Sequence, residues 1–181
     1  MKKINITILF LFSGFIISCG LHLRGNQDLS VVLPEVQIQG TNKHSELGRE
    51  LISALTVAKV NVLDESDTVL TITRDNISKR VLSVDSAGRA NQYELSYQLN
   101  FSLVKKVTGE SLKYENTQRR NQQSVNLIPV QTIIEKREYL FDANLVLAKE
   151  DEETRLNNDM RQAAILQLVR RLHFILKKIQ S

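Results

Sequence analysis

Cysteine, proline and tryptophan are scarce in this sequence. Its 181 residues include one cysteine, two prolines and no tryptophan. A single cysteine excludes an internal disulfide, and so few prolines exclude a proline-rich linker protein. The formal charge is only +4, and removal of Lys2 and Lys3 with the first 18 residues lowers it by two. So small a net charge argues against nucleic acid as a partner, because nucleic-acid-binding domains carry a strong basic bias.

The sequence also lacks the residue arrangements that catalysis and metal binding require. The three histidines, His22, His44 and His173, lie in separate segments, and no phosphate loop, nucleophile elbow or metalloprotease motif is present. In the acidic run Asp151 to Glu153, neighbouring side chains do not face each other on a helix, so a solvated helix turn explains it better than a metal site. We therefore predict that the protein is not an enzyme and holds no metal or dissociable cofactor.

The one long apolar run lies at the start of the chain. Lys2 and Lys3 precede 14 uncharged and mainly apolar residues, Ile4 to Ile17. As a helix this run is roughly 21 Å long, short of the about 30 Å of a bilayer's hydrocarbon core, which favours a removable signal over a spanning helix. It ends in Ile16-Ile17-Ser18-Cys19, which is similar to the lipobox of bacterial lipoproteins. We predict that residues 1–18 are a signal peptide and that Cys19 carries N-acyl and S-diacylglycerol lipid.

A lipidated Cys19 predicts the location of the protein. Stable anchoring needs more than one acyl chain, and a lipoprotein cysteine carries enough of them to make attachment effectively permanent. Residue 20 is glycine rather than aspartate, which by resemblance to Gram-negative lipoproteins leaves no signal for retention in the inner membrane. We predict anchoring at the periplasmic side of the outer membrane. An unmodified cysteine packed as a small apolar residue is the alternative.

The rest of the chain has the patterns of one folded domain. Residues 19–34 have no clear period and are predicted to be a lipidated N-terminal tether to a domain over residues 35–181. Alternating polar and apolar residues predict strands, and apolar residues three and four apart predict helices. The predicted strands cover residues 35–39, 68–73, 93–103 and 111–123, and the extended pattern of the second continues to residue 84. The predicted helices cover residues 43–59 and 142–178, the second with or without a break near Asp151. Residues 125–134, which include Pro129, are predicted to be a loop.

Residues Tyr93 to Leu103 carry the clearest pattern. Apolar side chains occupy every second position and polar ones the positions between, so that one face of the strand is apolar and the other polar. A sheet built this way is covered on one side and wet on the other, which is typical of antiparallel sheets. The order β-α-β-β-β-α predicts an α+β two-layer sandwich, in which a small, mainly antiparallel sheet carries two helices on one face.

Short motifs along the chain resemble, in the same order, those of the LPS-assembly lipoprotein LptE family. The matching segments are Cys19-Gly20-Leu21-His22-Leu23-Arg24-Gly25, Glu46-Leu47-Gly48-Arg49, Ser83-Val84 followed by Gly88, Gln92-Tyr93-Glu94, Leu147-Ala148-Lys149-Glu150-Asp151-Glu152-Glu153 and Gln167-Leu168-Val169-Arg170-Arg171-Leu172. The resemblance implies the same two-layer fold. It also implies an outer-membrane lipoprotein that plugs and assembles the LptD barrel and binds lipopolysaccharide for delivery to the outer leaflet.

The resemblance further implies two lipopolysaccharide-binding residues. Basic residues of the family in the turn before the alternating strand and in the Leu-Ala-Lys segment are linked to this binding. Lys149 matches the second position, whereas Ser86 occupies the first and Arg89 is the nearest basic residue. Two alternatives to the implied function remain from the residues alone: a generic outer-membrane lipoprotein scaffold of another envelope complex, and a small periplasmic hydrolase.

Overall fold

The computed structural model describes residues 28–107, 123–142 and 146–180. Within these ranges, five strands form one sheet and two helices pack on it. The strands are β1 Glu35–Gln39, β2 Asn61–Leu63, β3 Thr68–Val84, β4 Ala90–Val107 and β5 Gln123–Leu140, and the helices are α1 Glu46–Val57 and α2 Val146–Gln180. The predicted α+β class is confirmed. The short strand β2 is an addition to the predicted order.

The sheet has the strand order β2-β1-β3-β4-β5. β1 runs parallel to both β2 and β3, whereas β3, β4 and β5 form an antiparallel meander. The β3–β4 ladder extends from the pair Thr68 and Lys105 to the pair Val84 and Ala90. This long meander makes the sheet mainly antiparallel, as predicted.

The alternating pattern of β4 decides which side of the sheet is buried. Leu95, Leu99 and Phe101 are fully buried beneath the helices, and they belong to one continuous apolar core with residues of both helices. The side chains of Ser96, Gln98 and Asn100, on the other side of the strand, are polar and partly exposed. We call this second side the open face, and among the described residues no helix covers it. Its β4 residues are Gln92, Glu94, Ser96, Gln98, Asn100 and Ser102.

α1 begins at Glu46 rather than at the predicted residue 43 because Ser45 caps it. The Ser45 hydroxyl accepts a hydrogen bond from the Gly48 N–H at 3.1 Å, as expected of a helix N-cap. Gly48 must be small, since a Cβ there would lie 2.1 Å from the Asn42 carbonyl oxygen. The apolar stripe that includes Leu51 and Leu55 is buried against the sheet.

α2 is continuous over 35 residues, without a break near Asp151. It lies on the same side of the sheet as α1, and the two helices contact each other through ion pairs. The buried Arg161 of α2 lies 2.8 Å from Glu46 and 3.2 Å from Glu50 of α1. Among the described residues, neither helix combines the length and the apolarity that crossing a bilayer requires.

The loop predicted over residues 125–134 is wrong, because β5 pairs with β4 through this segment. Leu103 pairs with Ile128 and Phe101 with Gln131, so two residues of β5, Pro129 and Val130, lie opposite Ser102. A bulge on an edge strand tolerates proline, which has no N–H to donate to the ladder. The predicted strand over residues 111–123 lies outside the described residues except for its last residue.

The packed domain begins before residue 35. Leu29 and Leu33 are buried in the core, and the Leu29 N–H donates to the Ala58 carbonyl at 2.9 Å. The last part of the predicted tether, residues 19–34, is therefore part of the domain. Residues 1–27, with the predicted signal peptide and Cys19, lie outside the described residues.

The two ends of the sheet differ in what lies beside them. At the turn end, the Phe141 N–H that follows β5 donates to the Asn91 carbonyl at the start of β4. The Tyr139 hydroxyl near the end of β5 donates to Glu153 in the first turns of α2. At the tether end, the last residue of α2 meets the start of the domain, and Gln180 Nε2 donates to the Val32 carbonyl at 3.4 Å. α2 therefore runs along the sheet from the turn end to the tether end.

Candidate functional site

The β3–β4 turn holds Arg89, one of the two predicted lipopolysaccharide-binding residues. Asp85 organises the turn, since its Oδ1 accepts the N–H groups of Ala87 and Arg89 at 2.8 and 2.9 Å. Gly88 has a φ of 77°, which favours glycine. Arg89 Nε donates to Asp85 Oδ2 at 2.9 Å, while 73% of the side chain stays exposed. The guanidinium is thus held through its Nε atom, and the rest of the group is exposed to solvent.

Lys149, the second predicted residue, lies in the first turns of α2. Its Nζ is 2.7 Å from Glu152 Oε2, three residues further along the helix. Only 19% of the Lys149 side chain is exposed, against 43% for Glu152. The lysine is therefore mostly withdrawn from solvent, and its described partner is a more exposed carboxylate that a stronger anion can displace.

The fold brings Arg89 and Lys149 to the same end of the molecule. Arg89 lies in the turn that joins β3 to β4. Lys149 precedes Glu153 by one helical turn, and Glu153 contacts both Lys79 of β3 and Tyr139 of β5 near the turn end. Two cations that are 60 positions apart in the sequence thus border one region.

A cluster beside this region ties α2 to the three long strands, and we call it the clamp. Glu153 Oε2 accepts hydrogen bonds from Lys79 Nζ and from the Tyr139 hydroxyl, both at 2.6 Å. The same Lys79 Nζ lies 4.3 Å from the centre of the Tyr93 ring, within cation–π range. Tyr93 stacks on Tyr139 at 5.7 Å and meets Phe141 edge-on at 5.5 Å. The clamp fixes the position of the helix turn that carries Lys149.

The clamp favours the charged form of Glu153. Burial opposes ionisation, but the hydrogen bonds from Lys79 and Tyr139 outweigh it, and the pKa of Glu153 lies below its ordinary value. The pKa of Lys79 is raised, because its contacts with Glu153 and Tyr139 outweigh the effect of burial. Burial and the neighbouring Glu153 carboxylate raise the pKa of Tyr139. At neutral pH the clamp is thus a charged pair with a neutral phenol.

The open face carries its own charge network. Glu94 is nearly buried and receives Arg80 Nε at 2.7 Å and Arg80 Nη2 at 3.2 Å, with Lys136 Nζ at 3.3 Å. These two cations hold the pKa of Glu94 below its ordinary value, with Arg80 the larger cause. Along the rest of the face, amide and hydroxyl side chains such as Gln98 and Asn100 bond to one another. The face can therefore offer donors and acceptors to a polar wall.

The acidic run at the start of α2 behaves as a helix turn. Glu152 pairs with Lys149 and Glu153 with Lys79, so the two carboxylates are directed to different partners. Among the residues that the structure describes, no group of three or more histidine, cysteine, aspartate or glutamate side chains is arranged to hold a metal ion. Cys19 and His22 lie outside those residues.

Sequence reasoning missed the clamp. Lys79 and Glu153 are 74 positions apart, and neither belongs to a motif with a known spacing. The alternation of β4 placed Tyr93 on the apolar face, but it gave no partner for the ring. A signal was present in Tyr139 and Phe141, which alternate near the end of β5, and the wrong loop assignment for the preceding residues concealed it.

The comparisons with known proteins agree with this architecture. A family model described as "LptE: Lipopolysaccharide-assembly" matches residues 33–172. The chain is 25% identical over 158 residues to the LPS-assembly lipoprotein LptE of Photorhabdus laumondii, covering 85% of this chain and 76% of that protein.

Solved structures show the same fold. The rare lipoprotein B of Shewanella oneidensis matches with a TM-score of 0.64 and 21% identity, over 81% of this chain and 99% of that one. A lipoprotein B of Nitrosomonas europaea matches with a TM-score of 0.57 and 24% identity, over 76% and 82%. The family is non-enzymatic and acts in lipopolysaccharide transport, in agreement with the prediction of no enzyme. Because the family model spans most of its length, the chain belongs to the LptE family of lipopolysaccharide-assembly lipoproteins.

Proposed function

We propose that this protein is an outer-membrane lipoprotein that plugs and assembles the LptD barrel and binds lipopolysaccharide for delivery to the outer leaflet. Its partners are then the LptD barrel, lipopolysaccharide and the membrane that receives the lipid on Cys19. The observation that carries the proposal is the open face, whose β4 side chains from Gln92 to Ser102 are all polar although no described element covers them.

A polar open face fits enclosure by a barrel. The interior wall of a large outer-membrane barrel is polar and hydrated. Such a wall pairs with amide, hydroxyl and charged side chains, and the open face supplies all three along β4. An apolar sheet face would instead favour burial against another apolar surface. The proposed plug therefore meets its barrel through hydrogen bonds and ion pairs.

Lipopolysaccharide binding is assigned to the turn end. Lipid A phosphates are anions that Arg and Lys side chains bind by charge-assisted hydrogen bonds. Arg89 is exposed with its Nε held by Asp85, and Lys149 is held at the same end by α2 and the clamp. Two cations at one end, beside an aromatic group, suit a phosphorylated lipid better than either cation alone.

The proposed barrel partner is tested by purification. The native lipoprotein, purified from detergent-solubilised membranes, is expected to bring LptD with it in equal amount by mass spectrometry. A photo-reactive amino acid in place of Gln98, on the open face, is expected to crosslink to the barrel. Recovery of the native protein with a different envelope complex, and no barrel, would replace this proposal with the scaffold alternative.

A further inference from the structure

The sheet narrows to three strands towards the turn end. β1 pairs with β3 only from Val69 to Thr71. Gly40, which follows β1, has a φ of 80°, and a Cβ there would clash with the Ile72 carbonyl oxygen. Beyond this close approach, no strand in the described part of the chain lies beside β3 on the side away from β4. We call this free side of residues 74–81 the β3 edge.

The β3 edge belongs to a regular strand. Each of its residues has a partner in β4, from Arg74 with Asn100 to Val81 with Tyr93. The register shifts of β3 lie before and after this run, and no proline interrupts it. In an antiparallel ladder, every second residue of an edge strand directs its backbone N–H and C=O groups away from the neighbouring strand. A regular edge of this kind can accept a further extended segment through backbone hydrogen bonds.

The basic side chains of this strand do not block its free side. Lysine and arginine often protect an edge strand from unwanted pairing. Here Lys79 is bound to Glu153 in the clamp, and Arg80 is bound to Glu94 on the open face. Both charges are therefore directed to partners above and below the sheet, and the β3 edge itself stays accessible.

The helix layer leaves the β3 edge largely uncovered. Ile77 and Val81 lie on the helix side of β3, opposite Tyr97 and Tyr93 of β4. They are 39% and 50% exposed, whereas Tyr97 is fully buried. An added strand would cover both apolar side chains, because neighbouring strands pack their side chains against each other on each face of a sheet.

Polar groups without a partner lie beside the start of the β3 edge. The buried Tyr97 hydroxyl has no hydrogen-bond partner among the described groups, and neither has the buried Asn157 Oδ1 of α2. Burial raises the pKa of Tyr97, and the nearby Asp75 carboxylate raises it further without a hydrogen bond of good geometry. Asp75 is exposed and forms no ion pair within the described ranges. A carboxylate beside a buried hydroxyl is suited to a cationic hydrogen-bond donor.

We propose that an extended segment of the barrel partner adds to the sheet along the β3 edge, with a basic residue beside Asp75 and apolar residues beside Ile77 and Val81. This inference rests on the proposed function, because the barrel supplies the segment. Side chains on one face of a strand recur at every second residue. The basic and apolar residues of the segment are therefore expected at alternate positions.

A second copy of this chain is a poorer occupant of the β3 edge. On the helix side, the edge presents Asp75, Ile77, Lys79 and Val81. Its cation on this side, Lys79, is already bound to Glu153. Two paired copies would therefore leave each Asp75 without a free base, whereas a segment of different sequence can supply one.

Crosslinking from two positions tests whether a strand pairs with the β3 edge. A photo-reactive amino acid replaces Ile77 or Val81 in the full lipoprotein in cells, and the crosslinked peptides are mapped by mass spectrometry. Both positions are expected to crosslink to one segment of the barrel, at sites about four residues apart, because paired strands keep a fixed register. The same amino acid in place of Leu166, which is exposed on α2, is the control and is expected not to reach that segment.

A charge reversal tests the basic residue of the proposed segment. Asp75→Arg is expected to lower the amount of barrel that co-purifies from detergent-solubilised membranes about fivefold, because it places like charges together. Asp159→Arg makes the same change at an exposed position of α2 and is expected to stay within about twofold of the parent. Both substitutions alter exposed side chains, so thermal unfolding of the purified variants is expected to match the parent.

Three results would overturn the inference while the barrel still co-purifies with the parent protein. The first is that Ile77 and Val81 crosslink to separate parts of the barrel, or to no protein. The second is that they crosslink to a second copy or to residues 19–27 or 108–122 of the same chain. The third is an equal loss of barrel in Asp75→Arg and Asp159→Arg. Absence of the barrel from the parent preparation would instead overturn the proposed function itself.

Discussion

Among single residues, Arg89 and Lys149 are held in different ways. Asp85 fixes Arg89 at its Nε, and most of the side chain is exposed. Lys149 is mostly withdrawn, and the structure around it is fixed by contacts of the next helical turn. An anion at the turn end would therefore meet one exposed planar guanidinium and one mostly buried ammonium group. Of the two, Lys149 is the better target for mutation, because the clamp joins the neighbouring turn of α2 to the strands and so fixes the surroundings of Lys149.

Lys149→Asp is predicted to weaken lipopolysaccharide binding, by about tenfold at low salt, and to leave barrel association intact. The reversal removes an attraction to phosphate and adds a repulsion, whereas the open face is unchanged. Arg155→Asp, six residues further along α2 and exposed, is the control and is expected to bind normally. Binding is measured with purified lipopolysaccharide at two salt concentrations, and barrel association by co-purification. Unchanged binding at low salt would return Lys149 to the role of a solvated surface residue.

Glu153→Gln is predicted to destabilise the protein by about 1 kcal/mol at neutral pH, because it removes the charge that Lys79 and Tyr139 stabilise. The pKa of Glu153 is lowered in the folded state, so its contribution is present above the ordinary glutamate pKa and is lost as pH falls through the lowered value. Urea unfolding at neutral and at acidic pH measures the difference between parent and variant. The difference is expected to shrink in acid.

Glu150→Gln, an exposed neighbour, serves as the control for this prediction. A difference in stability that does not change with pH would contradict the role assigned to the charge of Glu153.

The clamp marks the limit of what the sequence predicts at this scale. Arg89 and Lys149 were found because a family motif surrounds each of them. Lys79 and Glu153 meet only because β3 and α2 are brought together by the packing of the whole domain. The two residues are 74 positions apart, and no local period of the sequence predicts a contact over such a separation.

Secondary-structure elements with a strong period were predicted well. β4 alternates over its whole centre, and its burial follows the pattern. α2 was predicted because its apolar residues recur at helical spacing for many turns. β2 has three residues, too few to show any period. In β5 the bulge at Pro129 and Val130 changes which positions face the core, so that a strand was taken for a loop.

Ile133→Ala is predicted to cost about 3 kcal/mol of folding stability, because Ile133 is fully buried opposite Leu99. Ile134→Ala is the control, since the next residue of β5 lies on the open face and is 54% exposed. Its cost is expected to stay within about 0.5 kcal/mol. Urea unfolding at neutral pH compares the two variants. Equal costs would contradict the β5 register described above.

The whole molecule has two unlike ends. The turn end gathers Arg89, Lys149 and the clamp, while the tether end gathers Leu29, Leu33 and the last turn of α2. The sequence predicted the class of fold and the side of the sheet that is covered. It did not predict that Leu29 and Leu33 belong to the core, because the segment that carries them has no period.

Cys19→Ala is predicted to abolish lipidation and membrane anchoring without unfolding the domain. Cys19 precedes Leu29, the first core residue in the described part of the chain, by ten positions. Metabolic labelling with fatty acid and membrane fractionation measure the loss of lipid. Thermal unfolding of the purified domain is expected to be unchanged. Full acylation together with normal fractionation would refute the assignment of the anchor.

The 35 residues of α2 give the domain a length that bears on transport. At 1.5 Å per residue the helix measures about 52 Å, whereas a bilayer with its headgroups is about 40–45 Å thick. With Cys19 lipidated as proposed, a domain standing upright at the inner surface reaches the level of the opposite surface without any change of shape. Delivery across that distance then requires the lipopolysaccharide to move, while the lipoprotein stays in place.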